Sequence, residues 1–226
     1  MALQGITIRA IRFNNNKQHP GIRHQIGRLL YQVYIKEQQW TLEANNPSGL
    51  RIVGNNELVD DVDETAIWFV AMKDDQSPIG CYRLADKKLI GGMHEAQRYL
   101  PKGSLSWKTI DSLYPCLEFN RIAVALPYRR SLISTILLQQ MLNYIHSALP
   151  SYGLIGCTAE PIMQRIVERF GAVCVGEPFR YDKKDSQPAN IYWYSPDTIV
   201  VALNRTLKKM CHLNLCETMR YQPGQV

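Results

Sequence analysis

Glu118-Phe119-Asn120-Arg121 is a polar insertion in Leu117–Leu126, a run otherwise patterned as a buried strand. Successive strand residues alternate faces, so Glu118 and Asn120 share one side of a sheet, Phe119 and Arg121 the other. Charges in so apolar a setting are either paired or functional, because an unpaired buried charge is costly. Arg83, inside the strand-like run Ile79–Ala85, raises the same question, and Asp60 and Asp63 are available partners for both arginines. Two accounts stand. One is a structural ion-pair network; the other is a polar pocket for a zwitterionic or carboxylate-bearing substrate.

A second feature is the junction Ala125-Leu126-Pro127-Tyr128-Arg129-Arg130-Ser131, where strand is expected to pass directly into helix. The first N–H groups of a helix lack internal partners and carry the positive end of its dipole, which suits a phosphate or pyrophosphate. Arg129 and Arg130 add charge there, although solvated arginines in a first helical turn are equally ordinary.

These residues need a frame. Residues 5–13 alternate as a strand, and Ile22, Ile26, Leu30 and Val33 share one face of a helix running to about Glu37. Residues 43–59 are dense in Asn, Pro and Gly and predict a long irregular segment. Ala66–Lys73 and Ile79–Ala85, separated by a DDQSP turn, predict an antiparallel hairpin. After a mixed connection over 86–114 come strand 117–126, ended by Pro127, and an amphipathic helix over 128–149. Strand 153–159 follows, then a helix opened by Pro161 with Ile162, Ile166, Val167 and Phe170 inward. Strands 172–175 and 191–194 and a helix over about 197–212 complete the pattern, with a frayed tail after about 217. The expectation is one α/β (α+β) domain over 1–226: a mixed sheet, helices on both faces, and strands 117–126 and 153–159 parallel through a right-handed crossover.

The chain has 226 residues, 46% hydrophobic, with 26 basic against 20 acidic residues, a net charge of +6. So small a surplus, spread along the chain, excludes a tail-driven nucleic-acid binder, and the basic residues show no interleaved aromatic platform. It leaves room for a basic face that docks an acidic partner. No apolar run approaches the roughly 20 residues of a bilayer span, so a soluble, cytoplasmic protein is expected. The six cysteines form no C-x2-C pair, and Cys81, Cys157 and Cys174 lie in apolar runs as small hydrophobes. No metal site is expected.

The junction resembles the cofactor loop of the GNAT acyltransferase fold, with Arg129-Arg130-Ser131-Leu132-Ile133-Ser134 in place of the usual Arg/Gln-x-x-Gly-x-Gly/Ala. Leu132 and Ser134 stand where glycines normally let the backbone approach a pyrophosphate. Tyr31-Gln32-Val33-Tyr34-x-x-Glu37-x-x-Trp40 resembles the N-terminal motif of N-acyl amino acid synthases and acyl-homoserine-lactone (autoinducer) synthases. Asp60-x-x-Asp63, Arg83-Leu84 and Glu118-x-x-Arg121 follow in the order of the autoinducer synthases' acidic, RL and E-x-x-R signatures. Met163–Gly171, Val175-Gly176-Glu177 and Gln187-Pro188-Ala189 are closer to the N-acyl amino acid synthase and exosortase-associated branch. The arginine usual before the Tyr-x-Val-Tyr motif is Leu30 here, with Arg28 half a turn away.

The resemblance implies acyl transfer from a thioester, on the phosphopantetheine of acyl carrier protein or on CoA, to the α-amine of an amino acid or related amine. No acyl-enzyme and no tightly bound cofactor are implied. Glu118 is the implied proton acceptor, with the strands splayed beyond Val124 to free backbone N–H groups for pantetheine and the oxyanion. Arg83 and Arg121 would hold a substrate carboxylate or order Asp60 and Asp63. Trp40, Trp68 and Phe69 are candidates for the acyl tunnel or for core packing. Arg129, Arg130, Ser131, Leu132 and Ser134 would face the cofactor, and Arg165 and Arg169, four apart on one helical face, would dock the carrier protein. The alternatives are an acyl-homoserine-lactone synthase, an acetyl-CoA-dependent N-acetyltransferase, and a non-catalytic acyl-carrier-binding module.

Overall fold

A computed structural model of the chain describes residues 5–13, 21–43, 45–86, 92–129, 131–182 and 187–211. Arg130 and the expected tail after 217 lie outside the described residues. The chain divides into two compact units: residues 1–84, 121–141 and 206–226 form the first, and residues 85–120 and 142–205 the second.

In the first unit, β1 (Ile6–Ile11) pairs antiparallel with β4 (Ile67–Lys73), Ile6 opposite Lys73 and Ile11 opposite Trp68. β4 in turn pairs antiparallel with β5 (Pro78–Asp86), from Ile67↔Leu84 to Met72↔Pro78. Asp75 closes the turn between them, its Oδ1 accepting from the Ser77 N–H at 2.9 Å. α1 (Ile22–Tyr31) buries Ile22, Ile26, Leu29 and Leu30. The expected single helix to Glu37 instead widens into a π-helical segment, Gln32–Glu37, which keeps Val33 and Tyr34 buried together.

Residues 43–59 also depart from expectation, since two short strands, β2 (Arg51–Val53) and β3 (Glu57–Val59), pair antiparallel there. Three residues are too few to show a period, and the Gly54-Asn55-Asn56 turn masks them; Gly54 and Asn56 both have positive φ. β3 is wholly buried beneath α1. Gly27 permits that approach, because a Cβ there would sit 3.2 Å from the Glu57 Cβ.

The second unit contains two helices within the 86–114 connection, α2 (Glu95–Tyr99) and α3 (Leu105–Ser112). Ser104 caps α3 by accepting from the Trp107 N–H at 3.2 Å. β6 (Cys116–Val124) is shared between the units at Asn120/Arg121, and β7 (Gly153–Thr158) follows it through α4 (Ile133–Ala148). β6 and β7 are parallel, as the strand–helix–strand order predicts, with register Cys116↔Gly153, Leu117↔Leu154 and Glu118↔Ile155. The register stops there, six residues ahead of Val124, the expected point of splaying, although β7 continues to Thr158 and pairs with β9 (Asn190–Tyr194) from Leu154 to Thr158. β8 (Val173–Cys174) pairs with β9, and the seven-stranded sheet runs β1-β4-β5-β6-β7-β9-β8. α5 (Pro161–Arg169) and α6 (Pro196–Cys211) complete the described chain.

Three expectations are corrected. The helix foreseen from Tyr128 begins at Ile133, because Leu126–Tyr128 form a 3-10 turn around Pro127 and the helix restarts from Ser131. The Ser131 hydroxyl donates to the Tyr128 carbonyl (2.6 Å) and accepts from the Ile133 N–H (3.3 Å). On α5, Ile162 is 63% and Ile166 37% exposed, and Val167 alone is buried. Its anchors are polar instead: the Tyr194 hydroxyl donates to the Val167 carbonyl and the Tyr192 hydroxyl to Glu168. Cys174 is exposed on β8, not packed as a hydrophobe.

Candidate active site

Within the first unit, Arg83, Asp60, Asp63 and Arg121 form one buried cluster. β5 alternation turns Arg83 toward the loop that follows β3, where its Nη1 meets Asp60 Oδ1 at 2.5 Å and Asp63 Oδ1 at 2.6 Å. Arg121 grips the other oxygen of Asp60 with Nη2 at 2.7 Å and Nε at 3.2 Å. The aspartates also brace their own loop: Asp63 Oδ2 accepts the Asp60 N–H and Asp60 Oδ1 the Val62 N–H. Burial opposes the charge on Asp60, but Arg83 and Arg121 overcome it and hold the carboxyl well below the usual range. Asp63 differs. Burial and the neighbouring Asp60 charge push it up to about 6, against the pull of Arg83.

Both guanidinium groups are thus committed to aspartates. Trp68 belongs to the same cluster, its indole N–H donating to the Asp63 carbonyl (3.1 Å) and its ring 5.6 Å from the Arg83 guanidinium carbon. Phe69, on the opposite face of β4, is fully buried in the core. Arg121 itself has φ 51°, a left-handed conformation that breaks the strand's alternation at the end of the E-x-x-R signature.

The N-terminal motif is fastened to the end of β6. Tyr34 donates its hydroxyl to the Ile122 carbonyl at 2.8 Å, and Trp40 stacks on Tyr34 with centroids 4.5 Å apart. Glu37 forms an ion pair with Arg129, whose Nε also donates to the Val124 carbonyl at 2.9 Å. Ser134 bonds the buried Tyr82 phenol, and Ser131 caps its own turn. The side chains of Arg129, Ser131 and Ser134 therefore hold protein groups. Leu132 is half-buried just before α4. Leu30, at the usual arginine position, is core, and Arg28 lies 3.6 Å from Glu57.

The second unit holds Glu118. Its face of β6, shared with Cys116 and Asn120, carries a cluster that the sequence pattern does not reveal. Glu118 Oε2 accepts the Glu95 N–H at 2.8 Å and lies 3.5 Å from His94 Nδ1. His94 Nε2 is 3.0 Å from Cys116 Sγ, and Glu95 Oε2 accepts from Asn120 Nδ2 at 3.1 Å. His94 and Glu95 are both buried. They stand at the start of α2, where the His94 N–H donates to Gln97 Oε1 at 2.9 Å. That glutamine, three residues after His94, is the one local sign of a helix start in the sequence. Cys157, from β7, contacts the Tyr181 hydroxyl; burial and then the charges of Glu118 and Glu95 push its thiol well above the ordinary range.

Beside this polar group lies an apolar floor of Ala96, Ile110, Cys116, Ile155, Phe179 and Ile191. Tyr99, Phe179 and Tyr181 edge it with rings 4.8–5.2 Å apart. The arrangement places a hydrogen-bonded carboxylate next to an apolar compartment, at the point where the β6–β7 register ends. A carboxylate so placed can accept a proton from an amine held nearby.

Arg165 and Arg169 are exposed on α5. Among the described residues, no group of three or more His, Cys, Asp or Glu side chains could hold a metal ion, and no helix is long and apolar enough to cross a membrane.

No family model and no curated protein matches the chain. Solved structures do. The CoA-dependent acyl-homoserine lactone synthase BjaI, with SAM and isopentyl-CoA, superposes with TM-score 0.63 at 16% identity, covering 98% of this chain and 96% of that one. The acyl-homoserine lactone synthase LasI gives 0.55 at 15% identity over 88% and 93% of the two chains. An acyl-CoA N-acyltransferase from Pseudomonas aeruginosa gives 0.57 at 14% identity over 84% and 99%. The fold is that of the GNAT-type acyltransferases, with the acyl-homoserine lactone synthases among its structural relatives.

Proposed function

We propose that the protein is an N-acyltransferase that moves a long-chain acyl group from an acyl-carrier-protein or CoA thioester to the α-amine of an amino acid or related amine. The observation that carries this reading is Glu118: a buried carboxylate, oriented by the Glu95 N–H, where the parallel β6–β7 register stops. In GNAT-type folds a thioester arm needs such an opening. The relatives' described ligands, isopentyl-CoA among them, support a thioester donor.

The amine attacks the thioester carbonyl carbon, and Glu118 accepts the proton that the nitrogen loses. The tetrahedral oxyanion needs an N–H donor beside it. Collapse breaks the C–S bond, and the thiolate takes a proton from solvent. The cysteines need no covalent part. Arg165 and Arg169, exposed beside Ile162 and Ile166, offer a basic and apolar face to an acidic carrier protein.

Glu118→Gln is expected to lower turnover at least about tenfold while leaving the fold intact; unchanged turnover removes Glu118 from this role. Reversing Arg165 and Arg169 to Glu should raise KM for acyl carrier protein and spare lauroyl-CoA, whereas equal loss on both donors argues against docking there. The acyl-homoserine-lactone synthase reading is favoured by the fold likeness to BjaI and LasI. Mass spectrometry of lipid extracts from overproducing cells separates the readings as N-acyl amino acids or acyl lactones.

A further inference from the structure

His94 is fully buried, and its Nδ1 makes no hydrogen bond. Such a group costs stability unless something nearby answers it. The atom it faces is Glu118 Oε2, 3.5 Å away. On the other side of the ring, Nε2 lies 3.0 Å from Cys116 Sγ. The backbone is fixed independently by the His94 N–H bond to Gln97 Oε1.

A neutral imidazole carries one N–H, and the neighbours decide which nitrogen bears it. A lone pair on Nδ1 would point at carboxylate oxygen, which is repulsive; an N–H there is attractive. That choice leaves Nε2 to accept the weak S–H donor of Cys116. Glu95 turns its carboxylate to Asn120, and Cys157, near both carboxylates, keeps its proton. Gln97 Nε2 reaches toward Asp111 of α3 at 3.5 Å, and Tyr181 contacts Cys157.

We propose that His94 is a positioning residue for Glu118: its Nδ1–H, with Nε2 facing Cys116, donates to the Glu118 carboxylate beside the Glu95 N–H. The inference rests on Glu118 being the proton acceptor of the proposed reaction. Two donors on Oε2 orient the carboxylate, and hydrogen bonds to a carboxylate favour its charged form.

The test has two independent arms. Nitrogen-15 NMR of histidine-labelled full-length protein, with His94→Asn for assignment, should show His94 with its proton on Nδ1; an Nε2–H tautomer overturns the proposal whatever the enzyme does. The kinetic arm follows thiol release from lauroyl-CoA with a panel of amino acids. His94→Asn places an amide N–H near the Nδ1 position and should stay within about threefold of the unmodified protein. His94→Ala should lose about tenfold in kcat/KM and move the acid limb of its pH profile up by about one unit. An unmoved limb, or Asn no better than Ala, overturns the proposal. Retained turnover in Glu118→Gln would instead defeat the base assignment, and the NMR arm would still decide the tautomer.

Discussion

Arg83→Met isolates the buried ion-pair cluster. Arg83 is 1% exposed, and its guanidinium reaches both Asp60 and Asp63. Methionine keeps much of its length and packing against Trp68 but removes the charge and the Nη1 donor. Asp60 retains Arg121; Asp63 is left buried beside another carboxylate. Removing one partner of a buried pair costs about 3–5 kcal/mol, most of it from the charge left behind. With a urea m-value of about 2–3 kcal/mol/M, the unfolding midpoint should drop by about 1–2 M with m unchanged.

The loss should also depend on pH in a definite sense. The folded-state pKa of Asp63, about 6, lies above its ordinary value of 3.8. The folded protein therefore holds that proton more tightly, and this contribution to stability, complete below about 4, disappears as pH rises through 6. Asp60 works oppositely: its pKa is lowered, so its contribution is present above about 4 and lost on acidification. Losing Arg83 penalises ionised Asp63, so the variant should be destabilised more at pH 8 than at pH 5. Part of the loss persists at pH 5, where Asp60 is still ionised. A loss below about 1 kcal/mol at pH 8, or equal losses at the two pH values, would refute the pairing argument.

Two further outcomes are expected. Gly153→Ala puts a Cβ 1.7 Å from Trp193 Cη2, so the indole must move. Urea unfolding should show about 1–3 kcal/mol of destabilisation with a shifted native tryptophan emission; an unchanged midpoint and spectrum would contradict the packing. Tyr34→Phe removes the bond to the Ile122 carbonyl and should cost about 1 kcal/mol by the same measurement, whereas no loss would mean that this hydroxyl does not fasten the N-terminal motif to β6.

The strands and long helices were legible because their periods persist for many residues. The antiparallel β4–β5 hairpin follows from its turn, and the parallel β6–β7 pair from the helix between them. The acidic and arginine signatures were legible as a set, since charges in apolar strands must find each other. Short elements were not. Five-residue α2 shows no period, so His94 and Glu95 stayed hidden in a connection although they touch Glu118 and Asn120. The apolar stripe of α5 shows where an amphipathic face lies but not that the sheet covers only Val167. Arg129 likewise suggested an anion site by its position, while its partners, Glu37 and the Val124 carbonyl, come from distant sequence and from backbone.

The left-handed backbone at Arg121 has a consequence for how the chain can vary. Glycine or asparagine would sit there with less steric cost, yet neither supplies a cation, and Asp60 would lose two of its contacts. An aspartate-to-neutral change at position 60 alone would leave Arg121 bent for a partner no longer present. Positions 60 and 121 are therefore expected to be replaced together or not at all, a coupling of conformational comfort on one side to charge balance on the other.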